Sequence, residues 1–228
     1  MTKQTYTLLE NYMLSCMEDS AHDREHIYRV LYNALDIAQG ESKVDFDVLI
    51  AACLLHDIGR KEQFKDPSVC HAAVGAEKAC SFLLTQGFGE DFSRKVRHCI
   101  QTHRFRKSAQ PQSVEAKILF DADKLDATGA LGIARTFMYK GDMAEPIYTV
   151  LPDGSICDGT KSDDASFFHE YKFKLEKLYD RFYTARGAQL ANQRRAAAAA
   201  FYESLYREVN EGYTSGRERL NGIVTQSV

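Results

Sequence analysis

The 228-residue chain is 44% hydrophobic and 27% charged, the proportions of a folded globular protein, which exclude a fibrous or disordered one. Its formal charge of -3 creates no general attraction for nucleic acid, so a phosphate-bearing ligand has to be held in a pocket by local cations or a metal. No basic segment leads a long apolar one, no stretch reaches the roughly 20 apolar residues that span a bilayer, and six scattered cysteines form no CxxC pair, so a cytoplasmic protein with reduced thiols and no membrane association is expected.

Apolar residues recur at helical spacing along most of the chain, and alternating patterns bounded by turns are nearly absent, which predicts an all-α fold in one domain over 1–228. Helices are predicted at about 4–18, 23–39, 46–57, 70–86, 91–104, 113–127 and 130–139. Residues 141–162 hold Pro146, Pro152, Asp153-Gly154 and Asp158-Gly159, turn-forming residues that predict a loop with one short hairpin at Ile147–Val150. A loop of this length suits a lid or a plain surface connection equally. Two longer helices are predicted at about 163–184 and 187–212, the second carrying the alanines of 196–200, and the polar residues from Thr214 are expected to fray.

Several polar side chains fall on apolar faces of these helices. Phe46 to Leu55 leaves almost no polar face, so this helix must be buried on all sides. It ends in His56-Asp57, delivering an imidazole and a carboxylate to the interior, where an uncompensated carboxylate is costly. On a wheel of Val114 to Thr128, Lys117 and Lys124 share one side, and Asp121 lies near them. Asp123 and Asp126 project among aliphatic residues instead. Asp123 is therefore the expected buried, compensated acid, and Asp126 either supports it or pairs with an arginine. His26 lies at the edge of the stripe formed by Ile27, Val30, Leu31, Ala34 and Ala38. Two histidines and two aspartates offer donors suited to Mn, Fe, Co, Ni or Zn, and an octahedral ion would keep two positions for water or substrate. The same four residues could instead be structural, paired with arginines or main-chain amides.

The order His26, His56-Asp57, Asp123 resembles the H...HD...D pattern of the HD superfamily of metal-dependent phosphohydrolases. The resemblance covers about residues 20–140. It is carried by the surroundings of these residues, Ala21 to Val30 (AHDREHIYRV), Leu54 to Gly59 (LLHDIG), His71 to Ala76 (HAAVGA) and Asp121 to Arg135 (DADKLDATGALGIAR). The last segment looks like a bacterial subgroup of small HD hydrolases linked to nucleotide pyrophosphohydrolase activity. The resemblance implies a helical bundle, with additional C-terminal helices here. It implies a divalent metal, Mn preferred with Fe, Co, Ni, Zn or Mg possible, held by His26, His56, Asp57 and Asp123.

His71 and His103 also lie on apolar stripes and could reach the same cleft. In related HD enzymes such histidines either hold a second metal or contact phosphate and protonate the leaving group, and the phosphate role is the expected one. His98, His22 and His169 are weaker candidates, His98 being expected in solvent. Arg60, Lys61, Lys124 and Arg104, with Arg106 and Lys107, are candidate phosphate contacts. Asp57, or Asp126 through water, would take the proton from the attacking water, and no Gly-x-Ser-x-Gly or P-loop sequence suggests a different nucleophile or phosphate cradle. The expected reaction is hydrolysis of a (deoxy)nucleoside triphosphate to monophosphate and pyrophosphate. A nucleotide phosphomonoesterase or phosphodiesterase, and a nucleotide sensor without turnover, are the alternatives. The partner is a small nucleotide or phosphoester rather than extended nucleic acid, and monomer and homodimer both remain open.

Overall fold

The computed structural model describes residues 1–17, 24–104, 110–161 and 164–225. Among these residues the fold is all-α, with one isolated antiparallel bridge between Val150 and Ile156. The helices are α1 (Lys3–Met17), α2 (Arg24–Ala38), α3 (Phe46–Leu55), α4 (Arg60–Lys65), α5 (His71–Thr85), α6 (Glu90–Thr102), α7 (Val114–Leu125), α8 (Gly129–Asp142), α9 (Phe167–Phe173) and α10 (Ala185–Thr225). A 3-10 helix spans Leu175–Asp180. The chain divides into two compact units, Met1–Asp126 with Phe182–Gln189, and Ala127–Arg181 with Leu190–Val228. No helix among the described residues is long and apolar enough to cross a membrane.

In the first unit α3 is the central element. Val48, Leu49, Ala51, Ala52, Cys53, Leu54 and Leu55 are all buried, as a helix without a polar face requires, and α1, α2, α6 and α7 pack around it. Asp45 caps its start by accepting from the amides of Asp47 and Val48, which satisfies donors that would otherwise be orphaned. After Leu55 the chain turns through His56 to Gly59 and enters α4, a six-residue helix with no buried residue. With no apolar stripe, α4 carried no periodic signal.

The turn is pressed against α5. A Cβ on Gly59 would lie 2.3 Å from the carbonyl oxygen of His71 and 2.7 Å from the amide nitrogen of Gly75, and one on Gly75 would sit 3.2 Å from Gly59 N. Two facing glycines thus allow the His56-Asp57 turn and the first turn of α5 to approach backbone to backbone.

Asp121 departs from the expectation that it would lie on the lysine side of α7. It is fully buried, accepting from Thr184 Oγ1 and Thr184 N at 2.7 Å each and from Tyr183 N at 2.9 Å. The donors come from Phe182–Gln189, the segment that rejoins the first unit. A wheel describes one helix against its own stripe and contains nothing about a segment 60 residues away.

The second unit is built on aromatic packing. Phe137 stacks on Phe167 at 4.1 Å, Tyr171 stacks on Tyr202 at 4.2 Å, and Tyr202 donates to the Asp158 carbonyl at 2.6 Å. The continuous helix expected at 163–184 is two short ones. Ser166 caps α9 by accepting from His169 N, and Lys174, at φ -124°, ends it before the 3-10 helix. The last helix runs to Thr225 instead of stopping near 212, despite Gly212, Gly216 and Gly222, each of which costs a helix about 1 kcal/mol against alanine. Arg217, past the expected end, donates to the Gly154 carbonyl, a tie from a loop that local propensity does not contain. In that loop Val150 pairs with Ile156, while Leu151 N donates to Ser155 O and Cys157 N to Thr149 O.

Candidate metal centre

The ends of the helices of the first unit deliver a cluster of imidazoles and carboxylates. His26 sits in the first turn of α2, His56-Asp57 follow α3, His71 opens α5, His103 caps α6, Asp123 lies in the last turn of α7 and Asp126 caps it. His26, His56, Asp57, His71, His103 and Asp126 are all buried. The side chain of Asp123 is 25% exposed, so the cluster is open to solvent on that side.

His26 Nε2 lies 3.3 Å from Asp123 Oδ1, 3.4 Å from His56 Nε2 and 3.5 Å from Asp57 Oδ2. His56 Nε2 is 3.6 Å from Asp57 Oδ2 and 4.0 Å from Asp123 Oδ1. Donors bonded at about 2.1 Å to one ion stand roughly 3 to 4 Å apart, so the four groups surround a volume of the right size. Asp57 also faces the other way. Its Oδ1 is 3.4 Å from His71 Nε2 and 3.7 Å from His103 Nε2. His26, His56 and Asp123 form one group whose ligand atoms lie within 4.8 Å of one another, and Asp57, His71 and His103 form a second.

Each of the four imidazoles has its Nδ1 occupied. His26 Nδ1 meets Asp126 Oδ2 at 2.7 Å, His56 Nδ1 the Cys53 carbonyl at 2.7 Å, His71 Nδ1 the Gln63 side-chain oxygen at 2.6 Å, and His103 Nδ1 the Ile100 carbonyl at 2.6 Å. Those oxygens accept, so Nδ1 donates and Nε2 is the nitrogen turned toward the cluster.

The electrostatics follow from this crowding. Burial works against a charged His26, but hydrogen bonds to Asp123, Asp126 and Asp57 outweigh it and push its pKa up to about 10. Burial likewise opposes ionisation of Asp57 and Asp123, yet both carboxyls are held well below the usual range. The cause for Asp57 is chiefly the Arg60 guanidinium with His56 and His26, and for Asp123 chiefly His26 with His103 and His56. His71 goes the opposite way, to about 2, because it is buried and near Arg60, and His103 falls to about 4 through burial and His56. Two neutral imidazoles thus aim lone pairs at a carboxylate oxygen. Asp57 Oδ1, His71 Nε2 and His103 Nε2 are buried without a hydrogen-bond partner, which is costly unless something positive completes them. The donor set of His26, His56, Asp57 and Asp123 fits a divalent ion, and the unsatisfied atoms lie in the second group, formed by Asp57, His71 and His103.

Of the candidate phosphate contacts, Arg60 pairs with Asp57 Oδ2 at 3.0 Å, and the ammonium of Lys124 lies 4.1 Å from the centre of the Phe120 ring. Lys61 and Arg104 are half-buried. His22, Arg106 and Lys107 lie outside the described residues. His98 is not simply solvated as expected: its Nε2 is buried without a hydrogen-bond partner. His169 stacks on Phe173 at 4.3 Å in the second unit. Two residues at the cluster were missed in the sequence. Gln63 orients His71 from α4, and Arg29 bonds Asp126 through Nε at 2.8 Å and Nη2 at 3.0 Å. Arg29 had a signal, standing three residues after His26 on the same helix face. Gln63 had none.

Helix ends that gather imidazole and carboxylate donors in this way form a cluster able to hold a divalent metal. Residues 24–128 match the HD domain family. The chain is 32% identical to the protein YpgQ of Bacillus subtilis over 196 residues, 84% of this chain and 86% of that one. The crystal structure of YpgQ in complex with ADP superposes with a TM-score of 0.68 at 28% identity, covering 90% of this chain and 97% of that one. An HD-superfamily hydrolase from Bacillus thuringiensis gives a TM-score of 0.68 at 30% identity over 91% of this chain and 98% of that one. The chain belongs to the HD domain family of metal-dependent phosphohydrolases.

Proposed function

We propose that the protein hydrolyses (deoxy)nucleoside triphosphates to monophosphate and pyrophosphate, using a divalent ion, Mn by preference, held by His26, His56, Asp57 and Asp123. The observation that carries the hydrolytic reading is the convergence of these four side chains, at 3.3 to 4.0 Å between facing donor atoms, beside a solvent-open edge at Asp123. Support for a nucleotide comes from the relative YpgQ, whose structure was obtained with ADP.

A bound divalent ion supplies Lewis acidity and a water that ionises near neutral pH. The chain's own groups then have separate tasks. Asp57, or Asp126 through water, is the group we assign to orient the attacking water and take its proton. Arg60, Lys61, Lys124 and Arg104 are the cations we assign to offset phosphate charge. The test is turnover with Mn on a panel of nucleotides. Release of pyrophosphate supports the reading. Orthophosphate, or opening of a cyclic nucleotide, supports the monoesterase or diesterase instead, and tight binding without turnover supports a sensor.

For His71 and His103 a second reading has its own observation. A phosphate contact or leaving-group acid needs a proton on Nε2, whereas both rings carry theirs on Nδ1 and are held neutral. Two inward lone pairs beside the unsatisfied Asp57 Oδ1 favour a second cation, which Asp57, His71 and His103 would hold. Metal content at saturation separates the readings. Two ions per chain, falling to one in His71→Ala, support the second cation, and one ion in both proteins supports the phosphate role.

A further inference from the structure

The four inward-facing histidines are oriented by different means. His56 and His103 donate Nδ1 to main-chain carbonyls three residues back in their own segments, an arrangement built into the local backbone. His26 has its Nδ1 on a side chain 100 residues away, the carboxylate of Asp126 at 2.7 Å. That carboxylate is fully buried, and it is gripped by Arg29, with Nε on Oδ1 at 2.8 Å and Nη2 on Oδ2 at 3.0 Å. A guanidinium bonded in this two-pronged way fixes the plane of the carboxylate and can only donate to it. Both oxygens therefore act as acceptors, the proton of the contact belongs to His26 Nδ1, and His26 Nε2 is the nitrogen left facing Asp57, Asp123 and His56.

We propose that Arg29 is a positioning residue for the metal centre, clamping Asp126 so that Asp126 holds His26 in the ring orientation and tautomer that turn Nε2 toward the ion. The inference rests on the proposed ligand role of His26. It explains why α2 presents Arg29 three residues after His26, so that one carboxylate at the end of α7 is shared by both. A lysine could supply the charge but not the planar fork.

The experiment measures Mn affinity of the full-length protein by calorimetric titration for wild type, His26→Ala, Arg29→Met, Arg29→Lys and Asp126→Asn, with the melting temperature of each metal-free protein recorded alongside. Loss of an orienting partner of a metal-bound histidine lowers metal affinity by about 10- to 100-fold. Arg29→Met and Asp126→Asn should fall in that range and Arg29→Lys should recover only part of the loss. Arg29→Lys keeps the charge between α2 and α7, so it reports on geometry even if Arg29→Met folds poorly. If both Arg29 variants bind Mn within about threefold of wild type while melting at lower temperature, the ion pair only staples the two helices and the proposal is overturned. If His26→Ala itself binds Mn as tightly as wild type, the ligand reading beneath it has failed instead.

Discussion

Asp57 is the residue on which the two halves of the cluster meet, with Oδ2 toward His26 and His56 and Oδ1 toward His71 and His103. Its replacement and that of Asp123 should differ. Asp123→Ala removes the solvent-side donor from the His26–His56 group alone. It should lower Mn affinity by about a hundredfold or more and turnover by at least about a thousandfold, with a fold unchanged by circular dichroism. Asp57→Ala removes a donor from both groups and leaves His71 and His103 without the carboxylate they face, while Asp123 still faces His26 and His56, so it should also abolish any second ion seen in the wild-type protein by metal analysis. The pair His56-Asp57 was legible because the apolar run before it forces both residues inward; Asp123, expected as the buried acid of α7, has a side chain 25% exposed, and Asp121 and Asp126 are the fully buried ones. Asp121 was misread because the Tyr183 and Thr184 donors that compensate it come from a distant segment. Thr184→Val removes one of those donors at nearly constant volume, and should cost about 0.5 to 1.5 kcal/mol in chemical denaturation because buried Asp121 loses one hydrogen bond and keeps its two amide donors.

At the scale of elements, the approach of the His56-Asp57 turn to α5 depends on the absence of side chains at Gly59 and Gly75. Gly59→Ala places a methyl against main-chain atoms that cannot move independently. It should destabilise the protein by about 1 to 3 kcal/mol and, by pushing His71 away from Asp57, reduce activity in the fraction that remains folded. Thermal melting and turnover measured on the same preparation check both effects, and a wild-type melting temperature would refute the close-contact account. Helix α3 was readable because nearly all its residues are apolar, although it ends at Leu55 rather than at 57 and Phe46 is 47% exposed. Helix α4 was not, since six residues without a buried face carry no period, and Gln63 was hidden with it. The 163–184 segment shows the complementary limit: its composition permits a long helix, but the Ser166 cap and the backbone at Lys174 divide it.

For the whole molecule, the cluster ties metal binding to the stability of the first unit. Donors crowded in the folded chain are dispersed when it unfolds, so an ion that binds only the native state stabilises it by about 2.7 kcal/mol at a concentration 100 times its dissociation constant. Saturating Mn should therefore raise the melting temperature and a chelator should reverse the rise. Hydrogen exchange should slow most in α2, α3, α5, α6 and α7, the helices that hold or adjoin the cluster. A stabilisation that persists in the His56→Ala, Asp57→Ala double variant would place the ion elsewhere. By itself, the order of residues determined the all-α class, the buried central helix and the identity of His26, His56, Asp57 and Asp123 as one candidate set, since helical period and apolar runs are local properties. Only the tertiary structure decided that Asp57 faces two groups, that all four rings turn Nε2 inward, and that Arg29 reaches His26 through Asp126. Those relations join residues from separate helices, and their distances and hydrogen bonds exist only once the helix ends have been packed together.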